Sequence, residues 1–205
     1  MKKLFGLFVM ALGLATVIGN TASAESLVFE GKDGPGKGKK VVLISGDEEY
    51  RSEEALPMLG KILSQRHGFT CTVLFSIDPE KGYIDPSNQK NLPGLDALND
   101  ADLMIVATRF RTPSEESMKP FDKYLAAGKP VIGLRTATHG FQGKWSFFGL
   151  EILGEKWVAH HGGHKPEGCR GVIQDAHAKH PVLNSVNDVF APSDVYTVRN
   201  LDEKK

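Results

Sequence analysis

The sequence predicts a doubly wound α/β domain with a mostly parallel sheet and helices on both faces. Four apolar runs of strand length, at residues 41–45, 69–75, 102–108 and 130–134, are hydrophobic at successive positions rather than alternate ones, as in strands covered on both sides. Segments of helical period alternate with them, which is the order a parallel sheet requires. The composition, 40% hydrophobic and 24% charged over 205 residues, is that of an ordinary globular chain.

Taken in order, residues 1–24 are a separate object. Lys2 and Lys3 precede an apolar stretch at 4–19 and a small-residue Ala22-Ser-Ala24 site, the pattern of a cleaved secretory signal peptide. The apolar stretch is shorter than the roughly 20 residues of a spanning helix. The protein is therefore expected to be exported, periplasmic or extracellular, with no membrane span after signal cleavage. Residues 25–39, with Gly31, Gly34, Gly36, Gly38 and Pro35, read as a flexible lead-in, and residues 40–205 as the domain. After the first strand, Leu56, Leu59, Ile62 and Leu63 place a helix over 52–66. A second helix is expected over 114–127, with Met118, Phe121, Tyr124 and Leu125 on one face and Gly128 as its stop. Residues 77–94 lack periodicity and read as a lid or a surface excursion. Beyond His139, residues 147–153 fit a helix or a strand, and 171–174 and 194–198 fit strands.

Charge narrows the partners. Lys plus Arg and Asp plus Glu each number 25, which argues against a nucleic-acid partner, since that requires neutralising many phosphates. Cys71 lies in an apolar strand and Cys169 in a polar turn, settings that favour two free thiols over one bridge.

In doubly wound sheets ligands collect at the carboxyl ends of the strands. That directs attention to Asp47, Glu48 and Glu49 after the first strand, Arg109 and Arg111 after the third, and residues 135–139 after the fourth. The last of these occupies the place of a nucleophile elbow, where small residues flank a Ser or Cys. Here the central residue is Arg135, whose guanidinium stays protonated and cannot attack an acyl carbon. Thr136 and Thr138 lie beside it. His160, His161 and His164 form the densest histidine cluster. Gly162 and Gly163 make it a loop, in which the histidines either meet a metal ion, with His139, His177, His180 or Asp194 as a further ligand if the fold brings it close, or donate hydrogen bonds to loop carbonyls or a polyhydroxylated ligand.

The ordered set Val42-Leu-Ile-Ser-Gly-Asp47, Ala101-Asp-Leu-Met-Ile-Val106, Pro130-Val-Ile-Gly-Leu-Arg-Thr-Ala-Thr-His139, His160-His-Gly-Gly-His164, His180-Pro-Val182 and Ser193-Asp-Val-Tyr196 resembles a ThuA-like domain. That family is named for trehalose utilisation and shares the flavodoxin-like fold of class I glutamine amidotransferases. The resemblance runs from residue 40 to about 198 and implies a carbohydrate-related role. Members of the family usually carry His at the elbow and amidotransferases carry Cys, so with Arg135 no amidotransferase activity is expected. Domains of this kind usually continue with further strands, so the C-terminus reads as shortened. The functional expectation is a domain that binds, and transforms, a sugar or sugar derivative without a cofactor. Arg109, Arg111, Arg135, Asp47, Glu48, Thr136 and Thr138 would bind it, and His139, His161, His164 and Glu49 would be the proton-transfer candidates. Two other readings stay open, a non-catalytic binding module and a metal-dependent hydrolase built on the 160–164 loop. The oligomeric state is open as well, a homo-oligomer included.

Overall fold

The computed structural model describes residues 26–199; residues 1–25, which include the expected signal peptide, and the last six residues lie outside the described part. Five strands form one sheet: β1 (Ser26–Phe29), β2 (Lys40–Gly46), β3 (Thr70–Leu74), β4 (Leu103–Thr108) and β5 (Val131–Gly133), in the order β1-β3-β2-β4-β5. β2 runs parallel to β3 and β4, and β4 to β5, while β1 closes one edge antiparallel to β3. The doubly wound, mostly parallel sheet expected from the apolar runs is the observed architecture.

Alternation along β2 and β4 divides the core. Val42, Ile44, Met104 and Val106 point to one face, where they meet Phe121 and Tyr124 of α2 (Lys119–Ala126) together with Phe141, Trp145 and Phe148. Val41, Leu43, Ile105 and Ala107 point to the other, against Leu56 of α1 (Ser52–His67). Both faces are buried, which is why the strand sequences show no polar alternation.

Three elements depart from the sequence reading. The glycine-rich segment expected as a flexible lead-in supplies strand β1, and Gly31, Gly34 and Gly36 serve close packing. A Cβ on Gly31 would stand 2.1 Å from the carbonyl oxygen of Gly68, and the amide of Gly36 donates to the carbonyl of His67 at 2.7 Å, so this segment rests on the C-terminus of α1. The second helix begins at Lys119 rather than at 114. The Ser114 hydroxyl accepts the Ser117 amide in a local turn, and Pro120 fits only a helix's first turn. Residues 95–100 form a short 3₁₀ helix that buries Leu95 and Leu98, an element without a periodic signature at this length.

The segment at 77–94 is a pinned surface excursion. Arg111, fully buried, donates to the carbonyls of Asn88 and Pro86 within it, and the side-chain amide of Asn91 ties it back to Ile77. Beyond β5 the chain forms a π-helical turn, Phe148–Ile152, and then two small antiparallel ribbons. One joins β6 (His160–His161) to β9 (Val195–Tyr196), the other β7 (Cys169–Gly171) to β8 (Val189–Ala191). Cys71 and Cys169 are both free thiols, and burial raises the Cys71 thiol to about 11.

Leu43, with no exposed surface between the two neighbouring strands, is a direct test of this packing. Leu43→Ala is expected to lower the unfolding free energy by about 2–5 kcal/mol, read as a lower urea midpoint at unchanged slope; a loss below about 1 kcal/mol would mean that the β2 core face is not packed as described.

Candidate functional site

β2, β4 and β5 end at the same edge, and hydrogen bonds join the loops that leave them. The Arg109 amide donates to Gly46, the Phe110 amide to His139 and the Arg111 amide to Gly140, at 2.8–3.1 Å. Phe110 and Arg135 sit at positive φ, 55° and 38°, so both turns away from the sheet are tight and hold strained backbone. Asp47, 2% exposed, builds the first loop from within. Its carboxylate accepts the amides of Glu49 and Tyr50 and the hydroxyl of Thr136.

Above this edge lies a cavity of about 260 Å³ lined by Glu49, Arg109, Phe110, His139, Trp157, His160, His164 and Tyr196. The strand-end loops supply one wall and the C-terminal ribbon the other. The register of β6 on β9 decides which histidine of the pair takes part: His160 stands opposite Tyr196 and His161 opposite Val195. Successive strand residues face opposite sides, so His160 and Tyr196 share the cavity side and His161 is exposed outside it.

The charged groups are cross-linked. The Arg109 guanidinium pairs with Glu48 and Glu49 and stacks on Phe110 with its carbon 4.6 Å from the ring centre. Glu49 also receives His164 Nε2 at 3.0 Å and Lys165 Nζ at 3.3 Å. Burial opposes ionisation of Glu49, but the bonds from His164 and Lys165 and the charges of Arg109 and Lys165 outweigh it and hold the carboxyl below its usual range. Asp194, whose side chain has no exposed surface, accepts His160 Nδ1 at 2.6 Å, His164 Nδ1 at 3.1 Å and Arg135 Nη2 at 3.0 Å. Burial works against that charge too, yet the bonds from His164, His160, Ser193 and Arg135 keep the carboxyl well below the usual carboxylate range. Arg135 adds a bond to the Asp194 carbonyl at 2.8 Å and lies between the rings of Tyr50 and Tyr196.

His139 is the least polar of the titratable groups here. Its ring centre lies 4.9 Å from that of Phe110, 5.3 Å from Trp157 and 5.8 Å from Tyr196. Burial first, and then the Arg109 charge, push it from the ordinary 6.5 down to about 4. At neutral pH it is an uncharged imidazole, able to accept a proton or a hydrogen bond.

Of the residues singled out in the sequence, Glu49, Arg109, His139, His160 and His164 line the cavity together. Arg111 does not reach it. Its donors are used inside the protein on Gly46, Pro86, Asn88 and Glu48. Asp47 and Thr136 are buried beneath the floor, Glu48 bridges Arg109 and Arg111, the Thr138 hydroxyl bonds the Arg135 carbonyl at 3.3 Å, and Arg135 grips Asp194 rather than open space. Trp157 and Tyr196 went unread as site residues, and Asp194 was one of four candidate further ligands rather than the centre of the cluster. The Ser193-Asp-Val-Tyr196 stretch carried the signal for Asp194 and Tyr196; Trp157 stands outside it.

The His139 shift has a sign that can be tested. Its folded value lies below its unfolded one, so between pH 6.5 and about 4 the unfolded chain binds more protons and acid removes stability. The His139 C2 proton resonance is expected to titrate near 4. In urea unfolding, His139→Gln is expected to lose stability less steeply than the wild type as the pH falls from 6.5 to 4.5; a wild-type resonance titrating near 6.5 would contradict the buried setting.

No family model matches the sequence, and neither does any curated protein. Among solved structures the chain is similar to a ThuA-like protein from Bacteroides uniformis, with a TM-score of 0.50 and 16% sequence identity over 80% of this chain. The match spans 62% of that protein's chain. At such identity the likeness speaks to architecture alone. The likeness is one of fold: this chain shares the α/β architecture of that ThuA-like protein.

Proposed function

We propose that the domain binds a sugar or sugar derivative in the strand-end cavity, acts outside the cytoplasm, and moves a proton on that ligand. The observation that carries this reading is the lining itself: Phe110, Trp157 and Tyr196 supply aromatic surface beside Glu49, Arg109, His139, His160 and His164. A sugar ring has apolar C–H faces and a rim of hydroxyls, so it needs aromatic surface and paired donors and acceptors in one place. About 260 Å³ falls just below the roughly 300–1,000 Å³ of drug-sized ligand sites, a size for one ring unit. The sugar class follows the resemblance to a family named for trehalose utilisation, and export follows the leader pattern at residues 1–24.

Each lining group has a role in this reading. Arg109, fixed by two carboxylates and an aromatic face, donates to ligand oxygens in a set direction. Glu49 and His164 accept or donate at the neighbouring hydroxyl. Uncharged His139 is the proton acceptor. Arg135 at the elbow leaves no nucleophile for a covalent acyl intermediate, so the chemistry is proton transfer or binding alone.

Thermal unfolding against monosaccharides, disaccharides and their oxidised derivatives tests it. A ligand that binds the native state alone adds about 2.7 kcal/mol at a hundredfold excess over its dissociation constant. One sugar class is expected to raise the melting temperature of the wild type, with the shift lost in Trp157→Ala and Arg109→Ala. His139→Gln is expected to retain the shift and lose turnover. Stabilisation with no turnover in the wild type would make the domain a binding module, and no response to any sugar would end the carbohydrate reading.

A further inference from the structure

We infer that His160, His164 and Asp194 form the binding site for one divalent first-row transition-metal ion, set in the wall of the strand-end cavity. The inference does not rest on the sugar reading; it follows from how these three side chains are brought together.

The loop between the histidines does the first part of the work. Two histidines four apart share a face on a helix, but here Gly162, at φ 93°, turns the chain instead. A Cβ on Gly162 would stand 2.5 Å from the Glu167 carboxylate, which accepts the Gly163 amide at 2.7 Å. The tight turn brings the His160 and His164 ring centres to 4.1 Å. Asp194, just before the paired strand β9, meets both rings, and one nitrogen of each ring and a carboxylate oxygen lie within 4.8 Å of one another. Two ligand atoms each about 2.1 Å from one ion stand at most about 4.2 Å apart, so side-chain rotations of well under an ångström per atom close the set.

Asp194 supplies a second, independent observation. Its side chain is wholly removed from solvent, and burying a carboxylate costs free energy unless a cation or several donors meet it. Arg135 and Ser193 hold one oxygen, and a second Arg135 nitrogen holds the backbone carbonyl. The carboxylate is thereby aimed at the Nδ1 atoms of both histidines. On the far side of His164, Nε2 faces Glu49 Oε1 at 3.0 Å. A ring that ligates through Nδ1 and donates its other N–H to a carboxylate is the usual support of a metal-bound histidine. The ion would take the place of the Nδ1 protons, with those imidazoles carrying their proton on Nε2.

Two imidazoles and one carboxylate select zinc, manganese or iron over magnesium and calcium, which favour oxygen ligands throughout. Three protein ligands leave a position free. Because His160 and His164 line the cavity, that position opens toward a bound molecule, as in catalytic rather than structural sites.

The test titrates the full-length protein, stripped with a chelator, with zinc(II), manganese(II) and, as a control, magnesium(II). Calorimetry is expected to show one equivalent of zinc bound and none of magnesium. Cobalt(II) is expected to give the intense visible bands of a low-coordinate nitrogen–oxygen site. His160→Ala, His164→Ala and Asp194→Asn each lose stoichiometric binding, and Arg135→Met weakens it by about 10–100-fold. Circular dichroism and melting without metal show which variants are folded, and His160→Ala, which removes a cavity-wall ring, provides a readout should Asp194→Asn unfold. Absence of transition-metal binding in the wild type, or full binding retained by both histidine variants, would overturn the proposal. No sugar is present in these titrations, and sugar binding can be repeated in chelator-treated protein, so the two readings fail separately.

Discussion

The buried charge of Asp194 is the constraint on which the candidate site depends. A carboxylate with no exposed surface in a ribbon far from the sheet core would be costly by itself. Here Arg135 reaches it from the end of β5, His160 from β6 and His164 from the loop that follows β6. These contacts fasten the C-terminal excursion, which contributes Trp157, His160, His164 and Tyr196, onto the strand ends, which contribute Glu49, Arg109, Phe110 and His139. Arg135 binds to both the side chain and the backbone of Asp194, so it fixes the position of the ribbon and not merely its charge.

The same logic extends downward into the sheet. Arg111 bonds Glu48, Glu48 bonds Arg109, Arg109 meets Glu49, and Glu49 meets His164 beside Asp194. Burial lowers the Arg111 pKa, opposed by Glu48 and Asp47, and an arginine so placed still stays protonated. A buried cation of this kind costs little only while every donor has an acceptor. Arg111 meets that condition by using the carbonyls of Gly46, Pro86 and Asn88 as well, which is why the aperiodic 77–94 segment is ordered. A network that alternates in sign from the sheet to the ribbon makes the floor of the cavity rigid without filling it.

The parts of this arrangement legible in the sequence are those set by local pattern. Apolar runs marked β2 to β5 because burial on both faces leaves the same trace wherever the strand lies in the sheet. The strand-end rule found Glu49, Arg109 and His139 because topology alone brings those loops to one edge. It could not separate Arg109 from Arg111, two residues apart on one loop, since only packing decides which side chain turns outward. His160 and His161 are adjacent and chemically identical, and their roles divide on a two-residue ribbon register that no local signal carries. β1 and the 95–100 turn were illegible for the opposite reason: they are too short for periodicity, and glycine serves close packing and flexibility with the same letter.

Arg135 shows what such a site can do. The strand-to-turn geometry that elsewhere presents a nucleophile is present, with the strained φ of 38°, but the residue there is a permanent cation whose hydrogen bonds point at Asp194. The elbow has become a support. On the proposed function, chemistry would come from the groups that line the cavity, His139 among them. With its proton affinity depressed to about 4, His139 is a poor base toward water and a good hydrogen-bond acceptor, so it can take a proton efficiently only from a bound group that its neighbours have made acidic. Arg109 on one side and the His160–Asp194–His164 cluster on the other are positioned to do that, whether the cluster holds protons or a metal ion. On the proposed function, such a site would act by polarising a bound molecule, and the ligand's own acidity would decide whether it is transformed or merely held.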